Sequence, residues 1–157
     1  MRDLKAKLKK FEVELHKKPE AWQSELLKQV RSVAGIGKRA TAMLIVSTQG
    51  FKHTEIYQQL ISYAGLSPKK YASGSSIRGK VRICKQGGWL LRHTLHMCAL
   101  NAKKTNGACK ELFDRLVAKG KNKKLAVIAV ANKLLKQVFE VVKNESMFDR
   151  SYYKKVA

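Results

Sequence analysis

The residues best suited to chemistry are four small ones, Ser73-Gly74-Ser75-Ser76, set in a stretch of unusual charge. From Ile56 through Lys110 there is no Asp or Glu, while Lys69, Lys70, Arg78, Lys80, Arg82, Lys85, Arg92, Lys103, Lys104 and Lys110 all fall there. A serine hydroxyl beside a glycine, among cations, has an uncrowded approach to a phosphodiester and counter-charge for it. The same stretch has no carboxylate to act as general base or to hold magnesium, so those groups must come from elsewhere. Taken alone, Ser-Gly-Ser-Ser is more often the composition of a flexible connector.

A second candidate is Gly35-Ile36-Gly37, followed by Lys38 and Arg39. Two glycines allow a tight hairpin and leave backbone N–H groups open to a phosphate. Ile36 can plug the gap between two helices, and the next helix's N-terminus adds partial positive charge. Such contacts hold the DNA backbone without reading its bases. A glycine-rich helix turn with no ligand is the plainer alternative, because one Gly-x-Gly is a weak motif.

Other residues offer less. His93 and His96 have a spacing that could hold a metal on a helix, yet no third ligand type lies near them, and packed or solvated histidines are the better reading. His53 reads as a loop residue. Cys84, Cys98 and Cys109 are odd in number and lack CxxC spacing, so neither a disulfide framework nor a zinc knuckle is expected, only reduced thiols.

The elements that must position these groups are helical. Leu4, Leu8, Phe11 and Leu15 form a narrow stripe over residues 1–18, suited to a coiled coil or to a first helix. A helix from Pro19 to Val33 carries Trp22, Leu26, Leu27, Val30 and Val33, and after the glycine hairpin a helix runs from Lys38 to about Thr48. Thr54 is the expected N-cap of a short helix ending at Ala64, with Gly65 as its stop. The serine loop and Val81-Arg82-Ile83 suggest a turn or small hairpin. Helices are then expected from Trp89 to Lys104, from Lys110 to Ala118 and, as the central buried one, from Leu125 to Val142. The tail, with Phe148, Tyr152 and Tyr153, reads equally as a packed extension or part of an interface.

Composition bounds the partners. With 33 Lys+Arg against 11 Asp+Glu, the 157-residue chain carries a formal charge of +22, far beyond what solubility needs. That excess points to a polyanion, and to nucleic acid over a membrane because no basic amphipathic segment carries a lipid-facing aromatic stripe. No signal peptide is apparent, and the longest apolar run, Leu125 to Ala131, is too short to span a bilayer.

Several ordered motifs carry a resemblance. Val33-Ala34-Gly35-Ile36-Gly37, Tyr63-Ala64-Gly65-Leu66-Ser67-Pro68, Ser73-Gly74, Ile83-Cys84-Lys85-Gln86-Gly87-Gly88 with Leu91-Arg92, and Ala126 to Leu135 follow one another across about Leu27 to Lys143. Together they resemble the C-terminal domain of bacterial insertion-sequence transposases related to the pilin-gene DNA invertases, the group that uses a bridge RNA. The resemblance implies a two-domain, site-specific recombinase. A RuvC-like N-terminal domain would bind Mg2+ through acidic residues, a coiled coil would connect, and the C-terminal domain would bring a serine that attacks DNA. That serine matches Ser73, with Ser75 and Ser76 within an alignment slip. Where this chain has Gly88 the family often has Asn, so a cap or phosphate contact is in doubt there.

The resulting expectation is an all-α domain containing a helix-hairpin-helix, with a small loop or hairpin insertion. Residues 1–18 would be the end of a coiled-coil connector, 19–143 the DNA-binding and catalytic-serine domain, and 144–157 a tail. Ser73 is the expected nucleophile. Gly35, Gly37, Lys38, Arg39, Lys69, Lys70, Arg78, Lys80, Arg82, Lys85 and Arg92 are expected to bind DNA. The fragment would carry no cofactor, with magnesium left to the missing domain, and would not cut DNA by itself. Double-stranded DNA is the expected partner, a guide RNA a further candidate, and the full-length protein an expected homo-oligomer, cytoplasmic and associated with the bacterial nucleoid. Two rivals remain: a non-catalytic helix-hairpin-helix module and a basic RNA-binding domain of ribosomal type.

Overall fold

A computed structural model describes residues 21–69, 72–73, 77–78, 82–84 and 87–149, with the backbone alone at 21–23, 69, 72–73, 77–78 and 82. Among the described residues there are six helices: α1 (Ala21–Ser32), α2 (Lys38–Ser47), α3 (Tyr57–Tyr63), α4 (Trp89–Thr105), α5 (Gly107–Ala118) and α6 (Lys123–Lys143). Between α3 and α4 lie four two-residue strands, β1 (Pro68–Lys69), β2 (Ala72–Ser73), β3 (Ile77–Arg78) and β4 (Arg82–Ile83). The fold is helical, as the apolar periodicity predicts. The expected connector helix over 1–18 and the end of the tail, with Tyr152 and Tyr153, lie outside the described residues.

Helix α6 is the centre. It buries Ala126, Val127, Val130, Ala131, Leu134, Leu135, Val138, Phe139 and Val141, and packs against α4, α5, α1 and α3. Leu134 and Leu135 are fully buried, each contributing about 2 kcal/mol by the removal of apolar surface from water. Leu125, expected to face inward, is 49% exposed. It stands nine residues before Leu134, which at 3.6 residues per turn places it about 180° around the helix. On α4, Leu90 is 44% exposed for a similar reason, while Leu91, Leu95, Cys98, Ala99 and Ala102 form the buried face.

Side-chain caps move several helix starts from where periodicity alone sets them. Helix α5 begins three residues before Lys110, because the Oδ1 of buried Asn106 accepts from the Cys109 N–H at 3.3 Å and so ends the gap after α4. Its apolar residues Leu112, Phe113, Leu116 and Val117 are only half-buried; Ala108 and Cys109 are the buried ones. Asn122 starts α6 in the same way, accepting from the Lys124 N–H at 2.9 Å. Helix α3 starts at Tyr57 rather than after Thr54, and Gln59 reaches back to accept from the Glu55 N–H at 3.0 Å. It stops where expected: Gly65 takes φ +66°, and the Leu66 N–H closes on the Ile61 carbonyl at 3.0 Å.

The strands form two separate two-stranded antiparallel sheets, β1 with β4 and β2 with β3, on one excursion of the chain, called the arm below. Pro68 pairs with Ile83 and Lys69 with Arg82; further out, Ala72 pairs with Arg78 and Ser73 with Ile77. Residues 70–71 on the outgoing chain and 79–81 on the returning chain separate the two ladders in sequence. Five residue steps from Pro68 to Ser73 give the arm a reach of at most about 17 Å.

Candidate nucleic-acid interface

The root of the arm is built from two glycines that the sequence holds far apart. A Cβ on Gly87 would collide with the Tyr63 carbonyl oxygen and stand 2.6 Å from the Gly65 nitrogen. A Cβ on Gly65 would collide with Nη1 of Arg92 and stand 2.7 Å from the Cys84 carbonyl oxygen. The two chains therefore cross backbone to backbone, and the crossing is closed by the Cys84 N–H donating to the Ser67 carbonyl at 2.7 Å. Arg92, from the second turn of α4, donates Nη1–H to the Ala64 carbonyl at 3.4 Å and covers the C-terminal end of α3. The arm thus leaves the body from a fixed base, and its last described pair, Ser73 with Ile77, borders the three-residue loop 74–76.

The glycine turn between α1 and α2 is docked on the same helix, farther along. Gly35 has φ +106°, and a Cβ there would stand 2.5 Å from the Ala102 Cβ and 2.8 Å from its Cα. The Gly37 N–H lies against the Cys98 sulfur, one turn back along α4, and pulls down a thiol pKa that burial raises. Asn106 donates Nδ2–H to the Ala34 carbonyl at 3.3 Å and to Gln137 Oε1 at 2.9 Å, tying the turn to α6. Ile36 is buried in the core. What remains outward is Gly37, Lys38 and Arg39, all exposed; the Gly37 Cα face meets nothing within 4 Å. Gly37 caps α2 with no side-chain bond, so no side chain of the N-cap residue satisfies the first N–H groups of the helix.

Helix α4 acts as a ruler between the two candidate regions. Arg92 under the arm and Ala102 under the turn are ten residues apart, about 15 Å of one helix. The placement divides the predicted residues. Gly37, Lys38 and Arg39 form an exposed corner, Gly35 serves packing, and half-buried Arg92 holds the arm's base. Ser73, Lys69, Arg78 and Arg82 have their backbones in the arm. Lys70, Ser75, Ser76, Lys80 and Lys85 lie outside the described residues. Sequence reasoning missed Asn106 and Gln137, whose polar side chains in apolar surroundings were the available signal, and it missed the pairing of Gly65 with Gly87, for which no local signal exists.

No three His, Cys, Asp or Glu side chains converge to hold a metal ion among the described residues. Glu111, Glu140 and Asp149 line a groove of about 1130 Å³ with Lys133 and Lys136. Cys109, fully buried beside Gln137, has its thiol pushed up to about 11 by burial, with Lys133 opposing. It is a packed thiol, not a nucleophile. No described helix is long and apolar enough to cross a membrane.

A groove of about 330 Å³ opens beside the arm's root, lined by Leu66, Ile83, Ile128 and Ala131 with Trp89, Arg92, His93 and His96. Trp89 is 71% exposed, and its ring meets His93 at a tilt of 46° with centroids 6.5 Å apart, so the two are not stacked.

Known proteins are similar to this chain in sequence. The chain is 32% identical over 120 residues to the pilin gene-inverting protein of Moraxella bovis, covering 76% of this chain and 37% of that protein. The pilin gene-inverting protein of Moraxella lacunata matches to the same extent. The Insertion element IS110 uncharacterized 43.6 kDa protein of Streptomyces coelicolor is 26% identical over 118 residues, 75% of this chain and 29% of that one. The chain thus spans about a third of the length of the relatives it matches. The profile of the Transposase IS116/IS110/IS902 family matches residues 27–114, from the end of α1 through the glycine turn, the arm and α4 into α5, and the chain belongs to that family.

Proposed function

We propose that this chain is the DNA-holding and strand-attacking part of a transposase or DNA invertase, with Ser73 as the nucleophile. The observation that carries the reading is the family match across the arm, together with the position of Ser73 at the arm's last pair before its loop. The Ser73 oxygen would attack a phosphodiester, forming a serine–phosphate ester and releasing a 3′- or 5′-hydroxyl strand end. The proton leaves to a base that the acid-free arm does not supply. Lysines and arginines of the arm offset the charge that develops on the phosphate, and the corner at Gly37–Arg39 grips backbone phosphates. Carboxylates and magnesium belong to another part of the protein, so the chain by itself binds DNA without cutting it. A guide RNA, being a polyanion, suits the same basic surface, and the full-length protein is expected to be a homo-oligomer.

A nicked suicide DNA substrate with the full-length parent protein tests this. A covalent adduct should form and map to Ser73 by peptide analysis. Ser73→Ala should abolish strand exchange while leaving salt-dependent duplex binding and thermal stability in place. Strand exchange that survives Ser73→Ala, with no serine adduct, would make this domain a DNA-holding module and the nucleophile another residue.

A further inference from the structure

The groove at the arm's root has a chemistry that phosphate holding does not use. Its floor is apolar: Leu66 and Ala131 are buried, and Ile83 and Ile128 partly so. Its rim carries one exposed indole, one guanidinium and two imidazoles. An apolar groove bordered by an exposed indole and hydrogen-bonding groups suits a planar heteroaromatic ring, which gains by stacking on the indole and by edge contacts to donors. Arg92 spends one N–H on the Ala64 carbonyl and keeps the remaining guanidinium donors, which stand beside the slot.

Charge selects among ring-bearing ligands. No acid occurs between Ile56 and Lys110, a span that includes every groove residue except Ile128 and Ala131, and the whole chain carries +22. An apolar peptide or a lipid tail has no reason to sit in such a field, whereas a strand with one anionic phosphate per base does. A base inside a duplex is closed off by its neighbours, so only an unpaired or extruded base can enter. We propose that the groove seats one unpaired nucleobase, stacked on Trp89 and held at its edge by Arg92, His93 and His96, next to the root of the arm. The inference rests on the nucleic-acid reading above and adds to it a place where a melted or displaced strand is caught. Because Ile83 lies in both the groove and the arm's first pair, a seated base is within the arm's reach of the Ser73 backbone.

Fluorescence anisotropy on the 157-residue chain distinguishes the two ideas. The probes are a dye-labelled oligothymidine strand, an abasic strand of equal length and charge, and a duplex. The oligothymidine should bind about tenfold more tightly than the abasic strand, the scale of one base–aromatic stack. Trp89→Ala should bring that ratio to one, and Trp89→Phe should keep most of it. A ratio of one in the unaltered chain, or a tenfold ratio that survives Trp89→Ala, overturns the proposal. If the duplex binds and no base preference appears, only this inference falls; if neither strand nor duplex binds, the nucleic-acid reading falls with it. Trp89 is 71% exposed, so its replacement removes little packing, and retention of the far-UV circular dichroism spectrum is expected in both variants.

Discussion

The glycine turn at 33–37 and the paired arm at 68–83 both rest on α4, yet they use glycine and burial in opposite ways. The turn is held on three sides: Gly35 is pressed onto Ala102, the Gly37 N–H onto the Cys98 sulfur, and the Ala34 carbonyl onto Asn106. Only its corner, Gly37 to Arg39, is offered to a partner. The arm is held at its root, where Gly65 and Gly87 cross, and its described strand residues from Pro68 outward pair with one another. The turn is thus a fixed grip, and the arm is a lever from a fixed base. Among the described motif glycines, Gly35, Gly65 and Gly87 are small for the sake of a protein neighbour, whereas a Cβ on Gly37 would meet nothing within 4 Å and one on Gly88 only the Leu91 Cβ at 3.7 Å.

The sharpest way to break that contrast is to add one methyl group at each end of the turn. Gly35→Ala must adopt a left-handed φ and push its Cβ into Ala102, so we expect a loss of about 3 kcal/mol or more in urea unfolding. Gly37→Ala has an extended φ of −93° and open space, so the expected cost is about 1 kcal/mol or less, the scale of a poorer helix cap. Its larger effect should fall on duplex affinity, because the new methyl occupies the face a phosphate would approach. Equal stability losses at the two positions would mean that the turn is packed on both sides. Unchanged affinity in Gly37→Ala would move the grip to the lysine and arginine side chains alone.

A smaller effect probes what lies beneath the turn. The Cys109 thiol sits with Asn106 and Gln137, and burial raises its pKa to about 11, from about 9 in the unfolded chain. Only the unfolded chain ionises this thiol readily as pH rises from about 9 towards 11. Its contribution is therefore intact below pH 9 and is lost through that window, by roughly 2 kcal/mol at the top. Unfolding curves of Cys109→Ala, compared with those of the unaltered chain, should show a shallower decline over the same range. A parallel decline in both proteins would assign the loss to other groups.

Much of this was readable in advance, for physical reasons that differ by element. Leu134, Leu135 and Val138 repeat with the helical period, so α6 was legible as the central helix, and Gly65 announced the end of α3 because a left-handed residue there is nearly always glycine. Helix starts were less legible, since Asn106 and Gln59 act through single side-chain bonds that periodicity does not register. The roles of Gly35, Gly87 and Arg92 were least legible. Each is set by a residue more than twenty positions away, Ala102, Tyr63 and Ala64, and a sequence read locally shows a glycine or a cation without showing whether protein or ligand needs it.

The smallest effect concerns the join between arm and ruler. Gly88 is the N-cap of α4, has no side chain to accept from the first N–H groups, and leaves a Cβ facing only the Leu91 Cβ at an ordinary 3.7 Å. An asparagine at this position therefore fits without strain, and its Oδ1 can accept from the N–H of Leu90 or Leu91. Gly88→Asn should raise stability by a few tenths of a kcal/mol, read as a small upward shift in Tm. If the bare cap instead leaves those N–H groups free for a phosphate, the same change should weaken duplex binding while stabilising the fold. A rise in Tm with unchanged affinity would make α4 a structural ruler at both ends and leave DNA to the turn's corner and the arm.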